Sequence, residues 1–132
     1  MAVGKQIVRV GKISEAIEAK QVPLSAVTKG AGLVFVSGLP PLDRHTGELV
    51  RGDILVQARQ CLENLKFALE SAGSSLDKAL KVTVYITNCA YFDDVNRIYG
   101  EYFVKDPPAR TFVTVGAWPW PFDIEIEAIA LA

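Results

Sequence analysis

The sequence predicts an α+β fold, one sheet of about six strands with two helices covering one of its faces. Three observations predict it. The chain has 132 residues, 50% hydrophobic and 22% charged, which is the size and composition of one globular domain. Apolar periodicity runs in the order strands, helix, strand, helix, strands. No linker, internal repeat or low-complexity stretch breaks this order, so residues 1–132 read as a single domain.

Each element has its own signal. Residues 7–10 are a short apolar run and read as an edge strand. Leu33, Val34, Phe35, Val36 and Ser37 are a stronger strand, closed by Gly38. Residues 40–49 are rich in turn formers and read as a loop. Then Ile54, Ala58, Cys61, Leu62, Leu65, Leu69 and Ala72 fall on one helical stripe. Asp53 stands where it can cap that helix, and Gly73 where a left-handed residue ends it. Leu80, Val82, Val84 and Ile86 alternate with polar residues, the mark of a half-buried strand. Phe92, Val95, Ile98, Tyr99 and Tyr102 give residues 91–103 an apolar helical side, and Pro107 and Pro108 bar its continuation. Strands at 110–115 and 124–131 close the order, separated by an aromatic loop that contains Trp118, Trp120 and Phe122.

Two helices cover only one face of such a sheet. The final strands are nevertheless apolar on both faces, through Phe112, Val113, Val115, Ile124, Ile126, Ile129 and Leu131. A second apolar face predicts a partner surface, and a further copy of the chain is the simplest partner.

Composition excludes several functions. The chain carries 14 basic and 15 acidic residues, a net charge of -1, with no basic stripe, which argues against a dedicated nucleic-acid binder. Cys61 and Cys89 have no CxxC or Cys/His spacing, so no metal is expected. Cys61 sits in the helical stripe and reads as a core residue; Cys89, at a strand end, reads as a free thiol. The N-terminal segment lacks the basic-then-apolar pattern of a signal peptide. No apolar run reaches the roughly 20 residues of a membrane span. The expected compartment is therefore the cytoplasm, without membrane attachment. No Walker loop, GxGxxG, HExxH or GxSxG motif is present, and no cofactor is expected. His45 is the sole histidine and reads as an exposed loop residue.

Some residues have chemistry to offer. Arg110 opens a strand, with Phe112 and Thr114 on its side. Its planar fork of donors suits a substrate carboxylate, or else a structural ion pair. Glu125 and Glu127 share one face of an apolar strand. Burial there raises a carboxyl pKa and fits it to move protons; on an edge strand the two would simply face solvent. If this strand pairs antiparallel with the Arg110 strand, a glutamate and the arginine reach one site. Ser37 and Gly38 offer a hydroxyl and a backbone N–H at a strand end, or serve only to shape a turn.

Three segments together resemble the RidA/YjgF family. They are Leu33-Val34-Phe35-Val36-Ser37-Gly38; Gln57-Ala58-Arg59-Gln60 with Asn64-Leu65; and Pro108-Ala109-Arg110-Thr111 leading to Ile124-Glu125-Ile126-Glu127-Ala128. Val95-Asn96 and Tyr99 fit as well, and the match runs over nearly the whole chain in order. The resemblance implies a chorismate-mutase-like α+β fold and a homotrimer with active sites in the clefts between subunits. It implies hydrolysis of small enamine and imine acids to keto acids and ammonia, without metal or organic cofactor. By position, Arg110 binds the substrate carboxylate and Glu125 holds or activates the attacking water. Ser37 and Gly38 line the pocket, and Asn96 supports its wall.

The chain departs from the pattern of the family's archetypal deaminases in three places. Leu24 stands where they carry a tyrosine, Phe112 where they often carry a cysteine, and Leu39 where glutamine is usual. Leu24 and Phe112 thus border a pocket more apolar than the archetype, which points to a larger or more apolar imino acid. A non-catalytic module that binds small carboxylates is the alternative on the same fold. A nuclease, an activity sometimes attributed to the family, finds no support in the charge balance.

Overall fold

The computed structural model describes residues 4–132. Residues 1–3, part of the expected single domain and of the N-terminal segment read as carrying no signal, lie outside the described residues. Six strands form: β1 (Gln6–Val8), β2 (Val27–Gly30), β3 (Leu33–Leu39), β4 (Ala79–Ile86), β5 (Ala109–Thr114) and β6 (Ile124–Leu131). Three α-helices accompany them: α1 (Gly11–Ala19), α2 (Ile54–Ser71) and α3 (Phe92–Tyr102). The sheet order is β1-β2-β3-β6-β4-β5.

The α+β architecture is as the sequence predicts, with one correction. A third helix, α1, precedes β2, where the sequence reading placed no element. It is short, and only Ile13 and Ser14 of its residues are buried. Single helices of this length are marginal in water and depend on tertiary packing, so the local signal is weak. β2 was likewise unread, because only Val27 of its four residues is buried.

The long helix is where the stripe puts it. The Asp53 side chain accepts a hydrogen bond from the Val56 N–H at 3.0 Å, and Gly73 follows the helix at φ +80°. The α2 stripe packs on Val34, Val36, Leu39, Val82, Val84, Ile86, Ile124 and Ile126, all essentially inaccessible to solvent. Cys61 lies in this core, and its burial pushes the thiol pKa up.

Connectivity answers one condition that the sequence left open. β6 does not pair with β5. It lies between β3 and β4, antiparallel to both, so it is a central strand. β5 forms the sheet edge and runs parallel to β4, with α3 in the connection between them. Among the described residues, no helix is long and apolar enough to cross a membrane.

Register fixes which residues share a face. Val82 stands opposite Ala128 and Arg110, and Val84 opposite Ile126 and Phe112, all on the helix-covered side. Tyr85 stands opposite Glu125 and Val113, and Thr83 opposite Glu127 and Thr111, on the uncovered side. There Ile7, Phe35, Val113 and Leu131 remain exposed. The second apolar face expected from the sequence is therefore present in the single chain.

Candidate functional site

The β3 ladder shifts register between Val36 and Leu39, and this bulge carries Ser37 and Gly38. The Ser37 hydroxyl donates to the Ser25 carbonyl at 2.6 Å, and the Ser37 N–H donates to the Ala26 carbonyl at 2.9 Å. Ser37 thus ties the bulge to the segment that leads from Leu24 into β2. Gly38 lies beneath the side chain of Glu125. A Cβ built on Gly38 would stand 2.3 Å from Glu125 Oε1 and 2.9 Å from its Cδ, so a larger residue displaces the carboxylate.

Glu125 belongs to the wall of a cavity of about 120 Å³. Ile17, Leu24, Leu39, Trp118, Trp120 and Phe122 are among the side chains around it. Burial, and secondarily the charge of Glu127, push the Glu125 pKa up to about 7. A carboxyl poised there accepts or gives a proton near neutrality.

Two buried amides hold the cavity walls, a role the sequence reading missed. Asn64 donates to the Pro40 and Leu42 carbonyls at 3.1 and 2.8 Å, fixing the loop after β3. Gln57 accepts from the Asp123 N–H at 2.8 Å and donates to the Asp123 carboxylate at 3.2 Å, fixing the entry to β6. The available signal was polar residues inside an apolar helical stripe, because a buried amide must find partners.

Arg110 sits elsewhere. Its guanidinium donates to Asn96 Oδ1 of α3 at 2.7 Å. It lies 4.8 Å from the Tyr99 ring centroid, 5.1 Å from Phe112 and 6.0 Å from Phe92. Phe92 and Phe112 meet edge to face at 4.8 Å. Among the described residues Arg110 forms no salt bridge, so the structural ion pair is not seen. A guanidinium held by a neutral amide and aromatic rings keeps donors for an incoming anion. The Tyr99 hydroxyl is buried without a partner, and burial pushes its pKa up to about 12 while Arg110 opposes this.

Arg110 and Glu125 therefore occupy opposite faces of one sheet. The strand pairing on which the sequence made a shared site conditional does not occur within the chain, because β4 lies between those strands. Leu24, Gly38 and Glu125 come together at the cavity, while Asn96, Arg110 and Phe112 come together beside α3. His45 is exposed and lines a separate polar groove with Asp43 and Glu63.

The family model for Endoribonuclease L-PSP matches residues 14–132. The chain belongs to that family, the RidA/YjgF family. A RutC family protein of Pyrococcus horikoshii is 47% identical over 108 residues, 82% of this chain and 86% of the relative. Protein HMF1 of Saccharomyces cerevisiae is 37% identical over 118 residues, 89% of this chain and 91% of the relative. The fold is that of a Yersinia pestis protein of the conserved Rid family, itself of unknown function. The two superpose with a TM-score of 0.86 at 38% identity, covering 97% of this chain and 99% of that one. RidA from an Antarctic Psychrobacter superposes with a TM-score of 0.79 at 33% identity, over 84% of this chain and 90% of that one.

Proposed function

We propose that the chain is an enamine/imine deaminase, hydrolysing small reactive α-imino acids to α-keto acids and ammonia. One observation carries this reading. A guanidinium without an ion-pair partner and a carboxyl poised at about 7 are held on opposite faces of one sheet. Two copies meeting at their uncovered faces and edges bring one copy's Arg110 to another copy's Glu125. A closed homotrimer built this way holds three such clefts.

The chemistry follows from the two groups. Arg110 takes the substrate carboxylate in a forked pair of hydrogen bonds. Glu125, ionised, accepts a proton as water adds to the C=N carbon. It then returns a proton to nitrogen, and the carbinolamine expels ammonia to leave the keto acid. An imine is already electrophilic, so positioning acid and water in one cleft supplies most of the catalysis. Ser37 and Gly38 shape the cleft through the bulge, and Asn96 orients the arginine.

The test is a coupled assay. An amino-acid oxidase generates imino acids in situ, and semicarbazide traps those that survive. Wild-type protein lowers the trapped product; Arg110→Ala, at unchanged oligomeric state, does not. Equal suppression by both proteins overturns the mechanism.

A second reading, a non-catalytic module for small carboxylates, draws on the cavity itself. Its walls are almost wholly apolar, with Lys20 and Glu125 as the ionisable groups in them. A carboxylate that raises the melting temperature while no imine is consumed supports this alternative.

A further inference from the structure

The loop between β5 and β6 puts unusual material next to Glu125. Trp118 stacks on Phe122 with ring centroids 4.5 Å apart and planes 26° apart. Phe122 is buried, and its N–H donates to the Trp120 carbonyl at 2.9 Å. Trp120 is partly exposed, with Lys20 Nζ above its ring at 5.5 Å. Pro119 and Pro121 alternate with the indoles and restrict the backbone, so the loop loses little entropy when a ligand arrives. Gln57 fixes its end through Asp123. Ile17 of α1, Leu24 and Glu125 line the same cavity. The result is a largely apolar cleft with one carboxyl, Glu125, and one ammonium, Lys20.

Its size selects among occupants. An apolar cavity of about 150 Å³ accepts benzene. The cleft here measures about 120 Å³, which fits a branched four-carbon chain or most of a phenyl ring. A methyl or ethyl group leaves most of that apolar surface unfilled.

We propose that Trp118, Trp120, Phe122 and Leu24 form the side-chain pocket of this site, selecting α-imino acids with a branched aliphatic or phenyl side chain over those bearing methyl or ethyl. This rests on the deaminase reading of Glu125 and names its substrate class. The reactive carbon lies at Glu125, the carboxylate points to the Arg110 of another copy, and the side chain enters between the indoles. Each methylene gained in such a pocket is worth roughly tenfold or more in selectivity.

Two measurements on the intact wild-type assembly test this. In the oxidase assay, imines from leucine and phenylalanine are consumed with kcat/KM at least about tenfold above that for the alanine imine. Trp118→Ala and Trp120→Ala each lower that ratio about tenfold. The second measurement does not depend on turnover or on the variants folding. Both tryptophans of the chain line the cleft, so intrinsic fluorescence reads its occupation. The keto acid of leucine quenches it with a Kd at least about tenfold below that of pyruvate. Turnover of imines with no preference for size overturns the pocket assignment and leaves the deaminase reading standing. Absence of turnover with selective binding of the leucine keto acid overturns the deaminase reading and supports the pocket. Equal or absent fluorescence responses to both keto acids overturn the pocket assignment, whatever the turnover.

Discussion

The Glu125 cleft and the Arg110 seat lie on the same sheet and handle charge in opposite ways. At the cleft, burial among apolar side chains drives a carboxyl toward its neutral form, and Glu127 adds to the effect. At the seat, ring faces and an amide oxygen surround a guanidinium and stand in for water. The first region makes a group that changes protonation near neutrality. The second holds a guanidinium that, in the proposed reaction, anchors the substrate carboxylate. A hydrolysis that must hold an anion and move a proton needs one of each.

The largest expected effect breaks the anchor. Arg110→Ala lowers kcat/KM for imine hydrolysis by roughly a thousandfold, the scale of losing a forked charged contact in a cleft. Measurement against several imino acids checks it, and a loss confined to one side chain would contradict a carboxylate role. Next comes the proton-moving group. Glu125→Gln lowers kcat by about 100-fold. In the wild type, kcat/KM falls as pH drops through about 7, where Glu125 is protonated, and the variant's residual rate lacks that limb. A flat wild-type profile from about pH 5.5 to 8 refutes the assignment.

Stability follows the same group with a definite sign. Its folded pKa is raised from 4.5 to about 7. The neutral form's contribution is thus fully present below about 4.5 and is lost as pH rises through about 7. Glu125→Gln accordingly melts a few degrees above wild type at about pH 8 and level with it at about pH 4. The smallest effect is positional. Gly38→Ala puts a methyl 2.3 Å from the present position of Glu125 Oε1 and swings the carboxyl aside. Turnover falls about tenfold with the Arg110 seat untouched, so binding of the keto-acid product changes less than kcat.

Local patterns were read well in the sequence and long-range pairing was not. The α2 stripe, the Asp53 cap, the alternation of β4 and the shared face of Glu125 and Glu127 all depend on neighbours a few residues apart. The position of β6 between β3 and β4 depends on contacts nearly a hundred residues apart in the case of β3, and no local period encodes it. One clue was available. A strand, an eleven-residue helix and a strand form a crossover unit, which favours parallel pairing and puts β5 beside β4. Arg110, Glu125, Ser37 and Gly38 were legible as candidates. Their division between two faces was not, because it follows from that topology.

That division has a genetic consequence. If each cleft takes its anchor from one copy and its proton carrier from another, the two functions can be lost in different alleles and recovered together. A subunit with Arg110→Ala still offers an intact Glu125, and one with Glu125→Gln still offers an intact Arg110. Coexpressed, two inactive proteins would assemble mixed rings holding some complete clefts. Activity that reappears on mixing, and grows with the fraction of mixed rings, would mark the protein as one whose unit of inheritance is smaller than its unit of catalysis.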